Sequence, residues 1–269
     1  MPLCRLCDCP DADTVLSQAD WLAHADRCRD ERARMAALVR ETPALDFGDI
    51  VRCRGCGLLS VARVPDDAAL GDFYRQYYAN AGYARKTGRK IARATRRIRR
   101  LQRRAAGRSF LDVGCNLGFA VEAARRLGLE AEGIDVDDAA LALAAETFPG
   151  ARFQTMTVQA MAATGRRFAT VYCSEVLEHV RDIRGFAAAL AALVDDGGVL
   201  FLTTPDGGHW RVPKPLVRWA EIKPPEHLTW FAKPHLRRLF EAQGLTVGFG
   251  FNPKPGIKML ARRPLPQRP

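Results

Sequence analysis

The feature that most constrains the fold of this chain is a regular alternation of strand-like and helix-like segments that begins after Gly107. Strands that alternate with helices pair in parallel through βαβ units, which predicts a doubly wound, Rossmann-like α/β fold. The predicted strands are Ser109–Val113, Ala131–Asp135, Ala151–Gln154, Thr170–Cys173 and Val199–Thr203, and the predicted helices are Phe119–Leu127, Asp138–Phe148 and Ile183–Val194.

The segment after this alternation predicts one more helix and a final pair of strands. The helix runs from Pro234 to Gln243 and is closed by Gly244, and the strands are expected at Leu245–Phe251 and Ile257–Arg262. The turn-rich sequence NPKPG between the two strands favours an antiparallel pair at one edge of an otherwise parallel sheet.

The composition is typical of a globular chain, because 48% of the residues are hydrophobic and 26% are charged. The 269 residues suffice for one ordinary domain and a small additional module. No run of about 18 apolar residues and no signal-peptide pattern is present, so we expect no transmembrane segment and a cytoplasmic location. Because thiols stay reduced there, metal binding or burial is expected to account for the eight cysteines.

A glycine-rich turn follows the first predicted strand. Gly114 and Gly118 let the backbone approach a ligand closely, and Asp135 at the end of the second strand is placed to bind a ribose. A dinucleotide site would favour Gly-x-Gly-x-x-Gly, whereas Asn116 stands here at the middle position and Asp112 precedes the turn. An acid beside the turn repels phosphate and suits an ammonium group, so S-adenosylmethionine fits better than NAD.

Three stretches together resemble class I S-adenosylmethionine-dependent methyltransferases, especially those that act on small molecules, sugars and lipids. They are Phe110–Asp135, Cys173–Val180 and Pro225–Leu228, within a similarity that spans about residues 107 to 262. The resemblance implies a seven-stranded, mostly parallel sheet in the order 3-2-1-4-5-7-6 with the last strand antiparallel. One departure is Ala169, because an Asp usually follows the Phe that opens the fourth strand.

The resemblance also assigns the cofactor site residue by residue. It implies that Asp112, Gly114 and Gly118 shape the pocket for the methionine part, that Asp135 holds the ribose and that Val136 flanks the adenine. The full set of expected cofactor-binding residues is Asp112, Gly114, Cys115, Asn116, Gly118, Asp135, Val136 and Glu175.

Two histidines are the candidate catalytic residues. Methyl transfer is an in-line displacement on an already activated sulfonium, so an enzyme mainly aligns the acceptor and excludes water, and a base is useful when the acceptor is a hydroxyl. We expect His179 and His227 to lie at the edge of the sheet where the acceptor enters, with His209 and Glu175 as the next candidates. A purely structural role for either histidine stays open at this point.

Six cysteines concentrate in residues 1–62, which predicts a separate cysteine-rich module with a helix inserted between Leu16 and Val39. The pairs Cys4-x2-Cys7 and Cys53-x2-Cys56 offer four thiolates for tetrahedral zinc. The second pair and the aromatic cluster after it, Phe73, Tyr74, Tyr77 and Tyr78, resemble the zinc-binding N-terminal segment of many bacterial methyltransferases. A rival ligand set combines the first pair with His24 and Cys28, and a module without metal is a further alternative. In either metal-bound form the role is expected to be structural.

The segment from Arg85 to Arg104 holds eleven Lys or Arg residues and no acid, so it carries the whole excess of the formal net charge of +11. Ile91, Ile98 and Leu101 recur in it at helical spacing, which predicts an amphipathic helix with a cationic outer face. RNA, a phosphorylated glycan, a lipid-linked sugar or an anionic membrane would meet this charge. Nucleic acid is not favoured, because the aromatic residues precede the cationic run instead of interleaving with it.

The sequence therefore predicts an S-adenosylmethionine-dependent methyltransferase that transfers a methyl group to oxygen of a small-molecule, sugar or lipid-linked acceptor. The expected division is a zinc module at 1–62, a linker and basic covering helix at 63–106, and a methyltransferase domain at 107–269. An RNA methyltransferase is the main alternative, and a non-catalytic zinc-ribbon adaptor that only binds the cofactor is an alternative of another class.

Overall fold

The structure is a computed structural model that describes residues 3–66, 68–73 and 87–265. Its strands are β1 (Ala12–Leu16), β2 (Ile50–Cys53), β3 (Leu59–Val61), β4 (Ser109–Val113), β5 (Glu130–Asp135), β6 (Arg152–Thr155), β7 (Phe168–Ser174), β8 (Val194–Pro205), β9 (Thr229–Trp230), β10 (Thr246–Phe249) and β11 (Gly256–Arg262). Its α-helices are α1 (Gln18–Ala25), α2 (Glu31–Glu41), α3 (68–73), α4 (Thr87–Gln102), α5 (Phe119–Arg126), α6 (Asp138–Thr147), α7 (Val158–Ala163), α8 (Ile183–Ala192) and α9 (Lys233–Glu241).

The large sheet has seven strands in the order β10-β11-β8-β7-β4-β5-β6. Five adjacent strands of this sheet, β8, β7, β4, β5 and β6, are parallel to one another, and β11 runs antiparallel to both β8 and β10. Numbered along the large sheet alone, this is the order 3-2-1-4-5-7-6 with the last strand antiparallel. The predicted fold and the predicted antiparallel pair at the edge are therefore confirmed.

Helices cover both faces of the large sheet, as a doubly wound fold requires. On one face, Ile98 of α4 and Ala123 of α5 pack on Phe110 and Tyr172 of the central strands. On the other face, side chains of α7, α8 and α9 pack against β4, β7 and β8. Because both faces are covered, six of the seven residues of β7 are buried, which explains its continuous apolar sequence. The predicted amphipathic helix is α4, whose apolar residues Ile91 and Leu101 are also buried.

The N-terminal module forms a second sheet in the order β1-β2-β3-β9, with all pairs antiparallel. The prediction of one helix between Leu16 and Val39 is wrong in detail, because the region contains the end of β1 and two helices. Ser17 and Asp30 each cap a helix N-terminus through their side chains, so each of them begins a new helix.

The fourth strand of this small sheet comes from the far end of the chain. Leu59 of β3 pairs with Trp230 of β9, and Trp230 is buried in a second core with Trp21 and Phe47 of the module. Phe73, the first residue of the predicted aromatic cluster, is buried there too, whereas the Tyr residues of that cluster lie outside the described residues. The domain division stays a prediction. The small sheet is completed by β9, which comes from the part of the chain that also supplies α9, β10 and β11 to the methyltransferase fold.

Within the described residues, no helix has both the length and the apolar character needed to cross a membrane.

Candidate active site

The turn after β4 and the segment after β7 meet closely at the C-terminal edge of the large sheet. Gly114 has a φ of 71°, and a Cβ at this position would lie 2.5 Å from a methyl carbon of Val176. Gly118 caps the N-terminus of α5 with a φ of 73°, and a Cβ there would lie 2.4 Å from the ring of Phe153. Both positions therefore require glycine, and the turn leaves a narrow cradle at the switch point of the sheet.

Two carboxylates line this cradle. Asp112 is 4% exposed, and among the described residues it has no ion-pair partner. Burial, followed by the negative charge of Asp135, raises the pKa of Asp112 well above its usual range. Burial also raises the pKa of Asp135. A cation placed between them would stabilise the ionised forms, so the cradle fits the ammonium group of an amino acid.

The Asp135 carboxylate accepts hydrogen bonds from the backbone N–H groups of Asn116 and Val136, both at 2.8 Å, and of Asp137 at 3.1 Å. It thereby fixes the turn after β4 against the turn after β5. A carboxylate has about four acceptor positions, so one is left for a ribose hydroxyl. The side chain thus combines a structural role with the expected ligand role.

The other predicted cofactor residues surround the same edge. Asn116 has a left-handed φ of 46°, and its side-chain oxygen accepts a bond from the N–H of Leu117. Val136 is 69% exposed beside Asp135, a large apolar surface that would suit an adenine ring. Glu175 is exposed in the segment after β7, whereas Cys115 is buried and packs beneath the turn.

The structure brings His179 and His227 together. Their ring centroids are 4.8 Å apart in an edge-to-face arrangement, and the Glu178 carboxylate lies beside them, with 4.0 Å between its Oε1 and Nε2 of His179. Ligand atoms of the three residues lie within 4.8 Å of one another. We call this group the imidazole–carboxylate cluster. Its ligand types suit a divalent cation as well as proton transfer.

Each imidazole of this cluster is oriented by a backbone carbonyl. Nδ1 of His179 donates to the carbonyl of Glu226 at 2.8 Å, and Nδ1 of His227 donates to that of Glu221 at 2.9 Å. Because a carbonyl only accepts, these bonds leave the lone pair of each neutral ring on Nε2. Burial, followed by the charge of Lys223, lowers the pKa of His179 to about 3. Burial and the charge of His179 lower the pKa of His227 well below its usual range.

Glu178 is the residue of this cluster that the sequence reasoning missed. It is fully buried, and Thr204 donates a hydrogen bond of 2.9 Å to its Oε2, whereas its Oε1 has no hydrogen-bond partner within the described residues. Burial, followed by the negative charge of Glu175, raises its pKa well above its usual range. The signal was an acid between apolar residues and a histidine in VLEHV. His209 lies apart and contacts the carbonyl of Asn252.

The predicted zinc ligands converge in the N-terminal module. The Sγ atoms of Cys4 and Cys56 are 3.7 Å apart, those of Cys7 and Cys53 are 3.5 Å apart, and all four lie within 4.8 Å of one another. Four thiolates at a Zn–S distance of about 2.3 Å form a tetrahedron with edges of about 3.8 Å. The donor set and its geometry therefore fit zinc, and a set of four sulfur ligands has no open position for a substrate.

The rival ligand set does not assemble. Cys28 follows the end of α1 and donates through its Sγ to the carbonyl of His24, and neither residue belongs to the four-sulfur group. Cys9 lies near that group, but its Sγ contacts the carbonyl of Asp11. Cys173 is buried in β7, in agreement with the expected packing role.

Arg5 connects the four-cysteine site to the segments that carry the histidines. It stands between two predicted zinc ligands, and its guanidinium donates to the carbonyls of Val180 at 3.2 Å and Leu228 at 2.7 Å. Val180 directly follows His179, and Leu228 directly follows His227. Burial lowers the pKa of Arg5 to about 10, and the side chain still carries its charge at neutral pH.

Comparisons with known proteins agree with this geometry. A family described as "Methyltransferase domain" matches residues 83–248. The chain is 41% identical over 106 residues to the ubiquinone biosynthesis O-methyltransferase of Albidiferax ferrireducens, which covers 37% of this chain and 42% of that protein. The protein of the same name from Brucella ovis is 35% identical over 102 residues, or 36% of this chain and 41% of that protein. The chain thus spans about two fifths of the length of these relatives.

Solved structures show the same fold. The magnesium protoporphyrin IX methyltransferase from Synechocystis PCC 6803 with bound SAH gives a TM-score of 0.53 at 18% identity, over 73% of this chain and 95% of that one. An S-adenosylmethionine-dependent methyltransferase from Clostridium acetobutylicum gives 0.52 at 12% identity, over 72% and 99%. Since the family matches more than half of the chain and the predicted class I fold is confirmed, the chain belongs to the Methyltransferase domain family.

Proposed function

We propose that this protein transfers the methyl group of S-adenosylmethionine to an oxygen atom of a small-molecule acceptor. The observation that carries the proposal is the buried carboxylate of Asp112, which has no ion-pair partner among the described residues and lies at the cradle formed by Gly114 and Gly118. An ammonium group is the chemical partner that such a site lacks. The relatives named as O-methyltransferases support oxygen as the acceptor atom.

The cofactor supplies an activated methyl group, and the residues of this chain do the rest. Asp112 would bind the ammonium group, Asp135 would accept a ribose hydroxyl and Val136 would cover the adenine. Because the displacement is in line, the acceptor oxygen must approach the methyl group from the side opposite the sulfur, and the segment after β7 would hold it there. The imidazole–carboxylate cluster is carried by this segment and by the loop before β9.

We propose that His179 and His227 receive the proton of the acceptor hydroxyl. Their Nε2 lone pairs accept a hydrogen bond without any rearrangement, because each Nδ1 is already held by a carbonyl. Burial favours the neutral form of Glu178, and an imidazolium formed 4.0 Å from its Oε1 would favour its ionised form, so the two charges would stabilise each other. The same ligand atoms would also suit a divalent cation that acidifies the hydroxyl, and the Oε1 of Glu178, which has no hydrogen-bond partner in the described part of the chain, is the observation in favour of that second route.

We further propose that Cys4, Cys7, Cys53 and Cys56 bind structural zinc. The distances between their sulfur atoms support this set. The zinc would hold the segment with Arg5 in the position from which its guanidinium orients both histidine segments.

The function is tested by incubating the purified protein with methyl-labelled S-adenosylmethionine and either a metabolite and glycan extract or total RNA. We expect label in a small molecule that gains one CH2 in mass. Label that appears only in RNA would show the alternative substrate class, and cofactor binding without any transfer to either fraction would support the adaptor alternative.

A further inference from the structure

The cationic run of the sequence forms one wall of a groove. A cavity of about 540 Å³ lies between α4 and β11. The wall formed by α4 and the residues that follow it presents Arg93, Arg96, Arg97, Arg100 and Arg104. These positions recur every three to four residues, so they form one stripe of the helix. The other wall presents Lys254 and Lys258.

The groove contains no counter-charge of its own. No Asp or Glu lines it, and none of its seven cationic side chains forms an ion pair with a described residue. Like charges on successive turns of a helix repel one another, and a stripe of this kind is stabilised when an anion is bound. The arrangement therefore fits a ligand with more than one negative charge.

The floor of the groove is apolar. Phe201, Met259 and Leu260 line it, and the guanidinium of Arg97 lies over the Phe201 ring at 5.6 Å. Arg97 also donates to the hydroxyl of Tyr172 at 3.1 Å, which fixes its position. A cationic rim over an apolar floor suits a molecule that joins phosphates to an organic group.

One end of the groove lies at the C-terminal end of β8. Asn252 and Lys254 of the groove belong to the turn before β11, and Gly256, the first residue of β11, pairs with Pro205. The histidines follow β7 at the same edge of the sheet, but Thr204, which donates to Glu178, lies on the face of β8 opposite to the groove. A molecule in the groove would therefore reach the histidines around the end of β8.

We propose that this groove binds the diphosphate group of the methyl acceptor, an inference that rests on the proposed function for the identity of the ligand as acceptor. Two adjacent phosphates match cations on both walls, and Arg binds phosphate oxygens through paired N–H donors. The volume is that of a small-molecule site. An RNA backbone would instead engage exposed arginines of α4 both inside and outside the groove.

The test compares two double variants that remove the same charge from the same cationic segment. Arg93→Gln/Arg100→Gln removes groove arginines, whereas Arg99→Gln/Arg103→Gln removes arginines that do not line the groove. Binding of inorganic pyrophosphate to the full-length protein is measured by titration calorimetry. Since each lost charge-assisted contact weakens binding by about tenfold or more, we expect the first variant to bind at least about tenfold more weakly and the second within about twofold of wild type.

Uridine diphosphate and farnesyl diphosphate serve as further probes, and tighter binding of either than of pyrophosphate would support the groove and identify the organic part. Equal weakening in both variants, tighter binding of a single-stranded oligonucleotide, or no pyrophosphate binding at millimolar concentration would overturn the proposal. Cofactor binding is measured on the same samples. Pyrophosphate binding without cofactor binding would refute the proposed function and leave the anion site standing.

Discussion

Among the described residues, two clusters of potential metal ligands differ in chemistry and in position. The four-cysteine site offers only sulfur, which suits zinc in a closed tetrahedral site. The imidazole–carboxylate cluster offers nitrogen and oxygen at the edge of the sheet where the cofactor cradle lies, and one of its carboxylate oxygens lacks a hydrogen-bond partner. We propose from this difference that the first cluster stabilises the fold and that the second takes part in the reaction.

Arg5 nevertheless connects the two clusters. Its guanidinium donates to the carbonyl of the residue that follows each histidine and to the hydroxyl of Thr229 at the start of β9. Loss of the sulfur site should therefore affect the reaction indirectly, whereas loss of the second cluster should leave the N-terminal module folded. The dependence is thus expected in one direction only.

The largest effect is expected from Cys53→Ser, which removes a buried cysteine of the proposed zinc site. Loss of a structural metal belongs to the few mechanisms that destabilise by more than about 4 kcal/mol, so we expect the N-terminal module to unfold. Thermal unfolding and zinc content per chain are the measurements. Cys28→Ser is the matched control from the rival set and should retain one zinc and the wild-type melting temperature. Equal zinc loss in both variants would refute the four-cysteine assignment.

The next largest effect is expected from His179→Asn and Glu178→Gln in the second cluster. Proton transfer by a positioned side chain contributes about 10²- to 10⁴-fold to a rate, so kcat should fall within that range. Zinc content should stay at the wild-type value. Glu146→Gln on the exposed surface of α6 is the control for the carboxylate change. A kcat near the wild-type value in both variants would show that the imidazole–carboxylate cluster does not take part in the reaction.

A pH effect follows from the depressed pKa of His179. The folded state keeps this ring neutral down to about pH 3, whereas the unfolded chain protonates it near pH 6.5. The unfolded state thus binds more protons, and stability falls as the pH drops below 6.5. The contribution is about 2 kcal/mol between pH 7 and pH 5. Urea unfolding at several pH values measures it, and His179→Asn should reduce the slope. An unchanged slope would show that the ring is not neutral in the folded protein.

A smaller effect is expected from Arg5→Lys, which keeps the charge but reaches fewer carbonyls. Loss of one or two hydrogen bonds from a charged group should cost about 1 to 2 kcal/mol of stability. Because Arg5 orients the histidine segments, kcat should fall while the KM for S-adenosylmethionine stays constant. A change in stability with an unchanged kcat would show that Arg5 does not orient the histidine segments for the reaction.

The sequence was informative where the signal is local. The alternation of strands and helices predicted the large sheet, and the two Cys-x2-Cys pairs predicted the sulfur site, because those patterns reside in neighbouring residues. It did not reveal β9 or the contacts of Arg5, which join residues far apart in the chain: Arg5 and Val180 are separated by 175 positions, and Arg5 and Leu228 by 223. Glu178 was missed because its role depends on burial, which a single sequence does not display.

The central claim is that the cradle around Asp112 binds S-adenosylmethionine through its ammonium group. Titration calorimetry with S-adenosylmethionine on wild type, Asp112→Asn and the exposed control Asp196→Asn tests it most directly. We expect saturable binding to wild type and to the control, and at least about tenfold weaker binding to Asp112→Asn, since a buried charge-assisted contact is lost. No binding to the folded, zinc-loaded wild type at millimolar cofactor, or equal binding to all three proteins, would contradict the account.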